Sequence, residues 1–333
     1  AKYAKSGVAQ DSYSYWFAAD MMAYEKTFPD SANKLTQAQK QAMMEVVVQT
    51  LEKSKVPGDL AKSIIALTAM GYDATKITTA SGETLNGVDK LVDVLSDETN
   101  LGAFFTYTVP YVIIAFQQYS DAYQAQLDKW IAYTLEQKDS WMSTSWGTDG
   151  ITPIILALAP YVETNADVKT ALNAAVAAMP ECQKEDGSMG SHTYPGNAAS
   201  TGLAIAAVSA LGIDPATFVN ATSGKSLIDG LMASVLESED GFTSASDTLN
   251  TEQGFRGLIA MANVQATGKS YRLFDFSGQT LVPAVSYAWA ENAIVSFKTI
   301  PADAAVAVKR GETEVAADKV HGAYDLAAGE YSY

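Results

Sequence analysis

Two textures alternate along the first 281 residues of the chain. Six runs are almost wholly apolar, and they open at Ser14, Asp59, Thr108, Thr152, Ser200 and Glu252. Their starts are separated by 45, 49, 44, 48 and 52 residues. A step of that size corresponds to one helical hairpin per repeat. Between the runs lie amphipathic segments at about residues 36–55, 85–96, 121–137, 165–185 and 225–237. In the first of these, Met43, Val47 and Leu51 hold an apolar stripe at helical spacing, and the other face turns polar. Turn signals separate the segments, as in Lys55-Val-Pro-Gly58, Thr148-Asp-Gly150 and Gly212-Ile-Asp-Pro215.

The pattern predicts two helix populations. The apolar helices suit burial on both sides, and the amphipathic ones suit an outer layer. Six near-equal hairpins of that kind predict a mainly α fold, an (α/α)6 toroid or barrel spanning residues 1–281, with apolar helices inside and amphipathic ones outside. An open solenoid is the alternative; it requires polar end caps, and no clear ones stand out. A third texture begins at Val282. Residues 293–300, 304–309, 322–326 and 330–333 have strand-like composition and are separated by short turn sequences, which predicts a small β module over residues 282–333. That module reads as the first of several in a longer parent chain.

Composition narrows the function. With 22 Lys+Arg against 38 Asp+Glu, the formal charge of -16 repels phosphate backbones and anionic membrane surfaces. The longest apolar stretches, residues 151–162 and 198–213, are too short to span a bilayer. A single cysteine rules out an internal disulfide framework and any multi-cysteine zinc or iron–sulfur site. Residue 1 is not Met, and no charged-then-apolar leader opens the chain; a removed leader and a trimmed chain both fit. No sortase-type or lipid motif is visible.

Three ordered motifs carry a resemblance. Cys182-Gln-Lys-Glu-Asp-Gly187 is followed by Asn197-Ala-Ala-Ser-Thr201 and Ala207-Val-Ser-Ala-Leu-Gly-Ile-Asp-Pro215. Glu239-Asp-Gly-Phe242 with Thr251-Glu-Gln-Gly-Phe255 repeats the theme, as does Val56-Pro-Gly-Asp59 with the run from Ile64 to Asp73. The set resembles the α/α toroid of the terpene cyclase and protein prenyltransferase superfamily, in its secreted bacterial surface-protein branch, over about residues 10–275. The resemblance implies a secreted protein, extracellular or wall-associated, of a Gram-positive bacterium. It also brings kinship with transcobalamin-like proteins, which makes cobalamin or another corrinoid a candidate ligand; no cofactor is otherwise expected. The closing residues 322–333 are similar to the last hairpin of small β modules in such surface proteins.

The chemistry of these superfamilies is weakly represented. No DxDD tetrad is present for cyclisation, and no Cys-Gly-Glu-Gln run for a thioester. Cys182 with His192 and the remote His321 makes a poor zinc set, and Cys182 reads as a small buried side chain. No metal is expected. Among inner-helix acids, Asp20 is free to be a glycosidase carboxylate, Asp59 reads as an N-cap, and Glu252 complements a helix dipole. An enzyme, whether a polysaccharide lyase, a glycoside hydrolase or a divergent cyclase, would draw on His192, Tyr194, Asn197, Glu252 and Arg256. The stronger signal is an aromatic mouth, because the loops before parallel inner helices gather at one end. Tyr15, Trp16, Phe105, Tyr107, Trp141, Trp146, Tyr194 and Phe242 are the candidate ligand-binding residues there, joined at the rim by Asp149. Two tryptophans on the 141–146 loop have no evident core role. The expected function is therefore a non-catalytic surface protein whose toroid takes a small-molecule or glycan ligand; plugging of the barrel by these same rings is the competing reading.

Overall fold

The computed structural model describes residues 14–97, 105–191, 193–238, 241–242, 248–286, 292–295, 305–317, 324–327 and 331–333. The fold is mainly helical. Six helices match the apolar runs: α1 Tyr15–Thr27, α3 Pro57–Ala69, α5 Val109–Gln117, α8 Thr152–Leu158, α10 Ala198–Ala210 and α12 Thr248–Thr267. The amphipathic segments give α2 Gln37–Lys53, α4 Gly87–Val94, α6 Ser120–Glu136, α9 Ala166–Ala178 and α11 Leu227–Met232, with a short α7 at Lys138–Trp141.

Local chemistry sets the helix starts. Ser14 caps α1 by accepting from Phe17 N at 3.1 Å. Thr36 and Gln39 form a reciprocal capping box on α2. Pro57, Pro110 and Pro153 stand in the first turns of α3, α5 and α8, where a missing N–H costs nothing. Asp59 is accordingly not an N-cap: α3 begins two residues earlier, at Pro57.

The two helix populations are distinct. Every residue of α8 and of α10 is buried. By contrast α9 buries Val168, Ala171, Leu172 and Ala175, a single stripe at helical spacing. The apolar helices touch in sequence: α1 on α3, α3 on α5, α5 on α8, α8 on α10 and α10 on α12, and α12 returns to α1. The α10–α12 contact is especially close. Gly202 lies against the backbone of Gln253 and Gly254, and Gly257 lies against Gly202, so a side chain at either glycine would collide with backbone.

Three features depart from the sequence expectation. First, α3 is followed by strand β1 Tyr72–Thr78 and a short β2 Thr84–Leu85, paired antiparallel. Second, α12 is followed not by an outer helix but by an extended segment. There Tyr271 N donates to Ser209 O (2.9 Å), Gln118 Nε2 to Phe274 O (3.0 Å) and Lys26 Nζ to Asp275 O (3.0 Å). The segment thus crosses the C-terminal ends of α10, α5 and α1, and buries Leu273, Phe274 and Phe276. Third, β3 Val282–Val285 pairs in parallel with β1. Ala284 belongs to the main core, and Gln41 Nε2 donates to Val285 O. Residues 282–286 therefore pack with the helices, and the separate β packing begins later. That packing comprises β4 Asn292–Val295 paired with β7 Tyr324–Ala327, and β5 Val308–Arg310 paired with β6 Thr313–Val315, around Val308, Tyr324 and Leu326. No helix among the described residues is long and apolar enough to cross a membrane.

Candidate functional site at the ends of the apolar helices

Between the apolar helices lie side chains that are far apart in sequence. Arg256 of α12 is 1% exposed and donates through Nε to Asp20 Oδ1 of α1 at 2.7 Å. Its Nη2 donates to Glu252 Oε1, one turn earlier, at 2.6 Å. Burial works against the guanidinium charge, and the Asp20 and Glu252 carboxylates overcome it, so Arg256 holds its proton more firmly than a free arginine. The Arg256 plane lies 4.3 Å from the centre of the Trp16 ring and 5.6 Å from that of Phe274. Trp16 in turn meets Tyr111 edge-on at 4.8 Å and Phe274 at 5.2 Å. The extended segment after α12 thus delivers Phe274 into the same cluster as the first turn of α1.

Above this cluster the first turns of α1, α3, α5 and α12 converge. Tyr15 OH donates to Asp59 Oδ1 at 3.4 Å, and Ser54 Oγ donates to the other oxygen of Asp59 at 3.1 Å. Burial, reinforced by Asp59, pushes the Tyr15 phenol up to about 12. Lys62, half-buried on α3, places Nζ 5.2 Å from the Tyr111 ring, 5.7 Å from Trp16 and 5.8 Å from Tyr15. Desolvation lowers its pKa; Asp59 and Glu252 oppose that shift, and Arg256 adds to it.

A second polar group lies on the turn before α8. Burial pushes the Asp149 carboxyl up, against a hydrogen bond with Ser200, and Asp149 in turn helps raise Tyr107. Asp149 Oδ1 and the hydroxyls of Thr148 and Thr152 are buried without a hydrogen-bond partner. Such orphan acceptors and donors in a polar turn are positions for water or for ligand hydroxyls.

The expected aromatic residues separate into several groups. Tyr15, Trp16 and Tyr107 belong to the converging end, with Tyr107 44% exposed. Trp141 does not: it is 1% exposed, its Nε1 donates to Thr134 O at 2.8 Å, and it is a core residue despite the polar loop around it. Phe242 is also buried, against Gly254. Phe105 pairs with Tyr133 of α6 at 5.7 Å, and Tyr194 is 60% exposed on its loop. Asn197 caps α10 by accepting from Ser200 N at 2.8 Å. His192, His321 and the Trp146 side chain lie outside the described residues. Cys182 is fully buried, and burial raises its thiol pKa. Among the described residues no three His, Cys, Asp or Glu side chains gather around a metal position.

Sequence reasoning passed over Lys62, Tyr111 and Phe274. A signal for Lys62 was present: it is the lone cation of the apolar run Leu60-Ala-Lys-Ser-Ile-Ile65. Phe274 carried none, because its segment reads as a linker. Comparison with family models, curated proteins and solved structures finds no match for the chain.

Proposed function

We propose that the six apolar helices form the inner barrel of an (α/α)6 toroid like that of terpene cyclases and protein prenyltransferases, and that it serves as a non-catalytic saccharide-binding domain of a secreted bacterial surface protein. The order of helix contacts, closing from α12 onto α1, supports the toroid. The observation that carries the binding reading is the set of groups at one end: the faces and edges of Tyr15, Trp16 and Tyr107 beside Lys62, Asp59, Glu252 and Asp149. A saccharide offers apolar ring faces together with hydroxyls that both donate and accept. Aromatic rings, an ammonium and carboxylates meet those needs together. A corrinoid needs a wide, deep cleft, and the middle of the ring is occupied by Trp16, Tyr111, Phe274 and Arg256. The formal charge of -16 fits an extracellular setting in which the outer helices stay solvated.

Calorimetric titration of the purified chain with neutral and uronate oligosaccharides, beside cobinamide, tests this. Saccharide binding that weakens about tenfold or more in Tyr15→Ala and Tyr107→Ala supports the reading, since each ring removed takes away a large contact area. Absence of saccharide binding, or binding unchanged in both variants, overturns it. Burial of the Asp149 carboxyl also favours a second reading, a glycoside hydrolase with Asp149 as its acid. Shortened products in the same titration samples, lost in Asp149→Asn, would establish that reading in place of simple binding.

A further inference from the structure

The cations of the structured interior are mostly satisfied. Arg256 is divided between two carboxylates. Lys90, whose pKa burial also pushes down, gives its ammonium to the carbonyls of Leu51 at 2.8 Å and Glu52 at 2.6 Å. Lys184 reaches Ser191 O at 2.6 Å, and Lys40 reaches Glu25 at 3.0 Å. Lys62 differs. Among the described residues it makes no hydrogen bond and no ion pair, and Nζ lies 5.2, 5.7 and 5.8 Å from the centres of the Tyr111, Trp16 and Tyr15 rings.

We propose that Lys62 is a carbonyl-capturing amine, whose Nζ condenses reversibly with an aldehyde or ketone ligand held against Tyr15, Trp16 and Tyr111. The reducing end of a saccharide is the instance that rests on the function proposed above. In the step, the lone pair of neutral Nζ forms a bond to the carbonyl carbon while the carbonyl oxygen takes a proton. The resulting carbinolamine loses water, and a C=N double bond remains; no redox partner is needed. The surroundings suit each stage. A desolvated amine beside the cationic Arg256 is held toward the neutral, nucleophilic form, which Asp59 on the same helix and Glu252 on α12 oppose. Tyr15 keeps its phenolic proton, being pushed up to about 12, and donates it to Asp59 Oδ1, which holds an uncharged ring beside Nζ. Tyr111 is likewise pushed up to about 12 by burial and presents an uncharged ring. The rings shield the imine from bulk water, which slows its hydrolysis.

The test treats the full chain with glyceraldehyde and cyanoborohydride at neutral pH, then maps the reduced adducts by peptide mass spectrometry. A lowered lysine pKa raises the free-amine fraction at neutral pH. Lys62 is therefore expected to label faster than exposed Lys55 and Lys138. The Lys62→Arg chain should show no adduct at that position and an unchanged circular dichroism spectrum. Tyr15→Ala, which removes one of the three rings, should slow labelling at Lys62 and leave Lys55 unaffected. Labelling of Lys62 at or below the rate of Lys55, with the fold intact, overturns the proposal. The two readings separate cleanly. Binding of methyl glycosides, which have no free carbonyl, would stand even if Lys62 failed to label. Labelling by glyceraldehyde would stand even if no saccharide bound.

Discussion

Arg256 and Lys62 belong to the same aromatic cluster, both touch Trp16, and they are handled in opposite ways. Arg256 is almost wholly removed from water and is bonded by two carboxylates, one from a helix 236 positions away. Lys62 is half-buried, lies over three rings and has no acceptor among the described residues. The difference separates what joins α12 to α1 from what is left available at the converging helix ends. A buried charge with complete partners is a structural joint. A half-buried charge without them holds unspent interaction for something that is not part of the chain.

The largest expected effect comes from breaking the joint. Asp20→Ala leaves the Arg256 guanidinium in the interior with only Glu252, and should destabilise the fold by about 3–5 kcal/mol in chemical denaturation. A loss under 1 kcal/mol would mean that Arg256 swings to solvent and that the centre is not closed. Phe274→Ala removes the ring that the post-α12 segment delivers against Trp16, and should cost about 3–4 kcal/mol with a shift in tryptophan fluorescence. Alkaline titration probes the buried interior without mutation, at Tyr111 of this cluster and at Tyr72 on β1. Burial pushes Tyr72 and Tyr111 up to about 12, above the unfolded value of about 10. An acid raised in the folded state keeps its full contribution below the unfolded value and loses it as pH climbs toward the folded one. Stability should thus fall between about pH 10 and 12, by about 2–3 kcal/mol per tyrosine, seen as tyrosinate absorbance rising together with loss of helical circular dichroism.

Substitutions at the converging helix ends should have smaller and opposite consequences. Asp149→Asn removes a desolvated carboxyl with an orphan oxygen and should stabilise the chain by about 1 kcal/mol at neutral pH, while weakening ligand binding. Lys62→Met should change stability by less than about 0.5 kcal/mol, since no hydrogen bond is lost. A drop comparable to that of Asp20→Ala would erase the distinction between the two cations.

The elements were legible because their causes are local. The capping box of Thr36 and Gln39, the first-turn prolines and the stripe of Val168, Leu172 and Ala175 are written within a few residues of one another. Trp141 misled for the same reason in reverse. Its neighbours are polar, but its burial comes from α6, where it finds the carbonyl of Thr134. Strand β1 was readable in hindsight from Tyr72-Asp-Ala-Thr-Lys-Ile-Thr78, yet its partner β3 lies some 200 positions later, and no local pattern couples them.

The sequence by itself determined that there are six apolar helices at a regular step and which segments lie between them, because periodicity, caps and turns depend on near neighbours. It did not determine which charges would meet. Asp20, Arg256 and Glu252 became one ion cluster, and Lys62 was left without a hydrogen-bond or ion-pair partner among the described residues, only when α12 came back against α1 with Phe274 against Trp16. Those assignments depend on burial and on distances between helices that the chain separates by more than 200 residues, and only the tertiary structure fixes them.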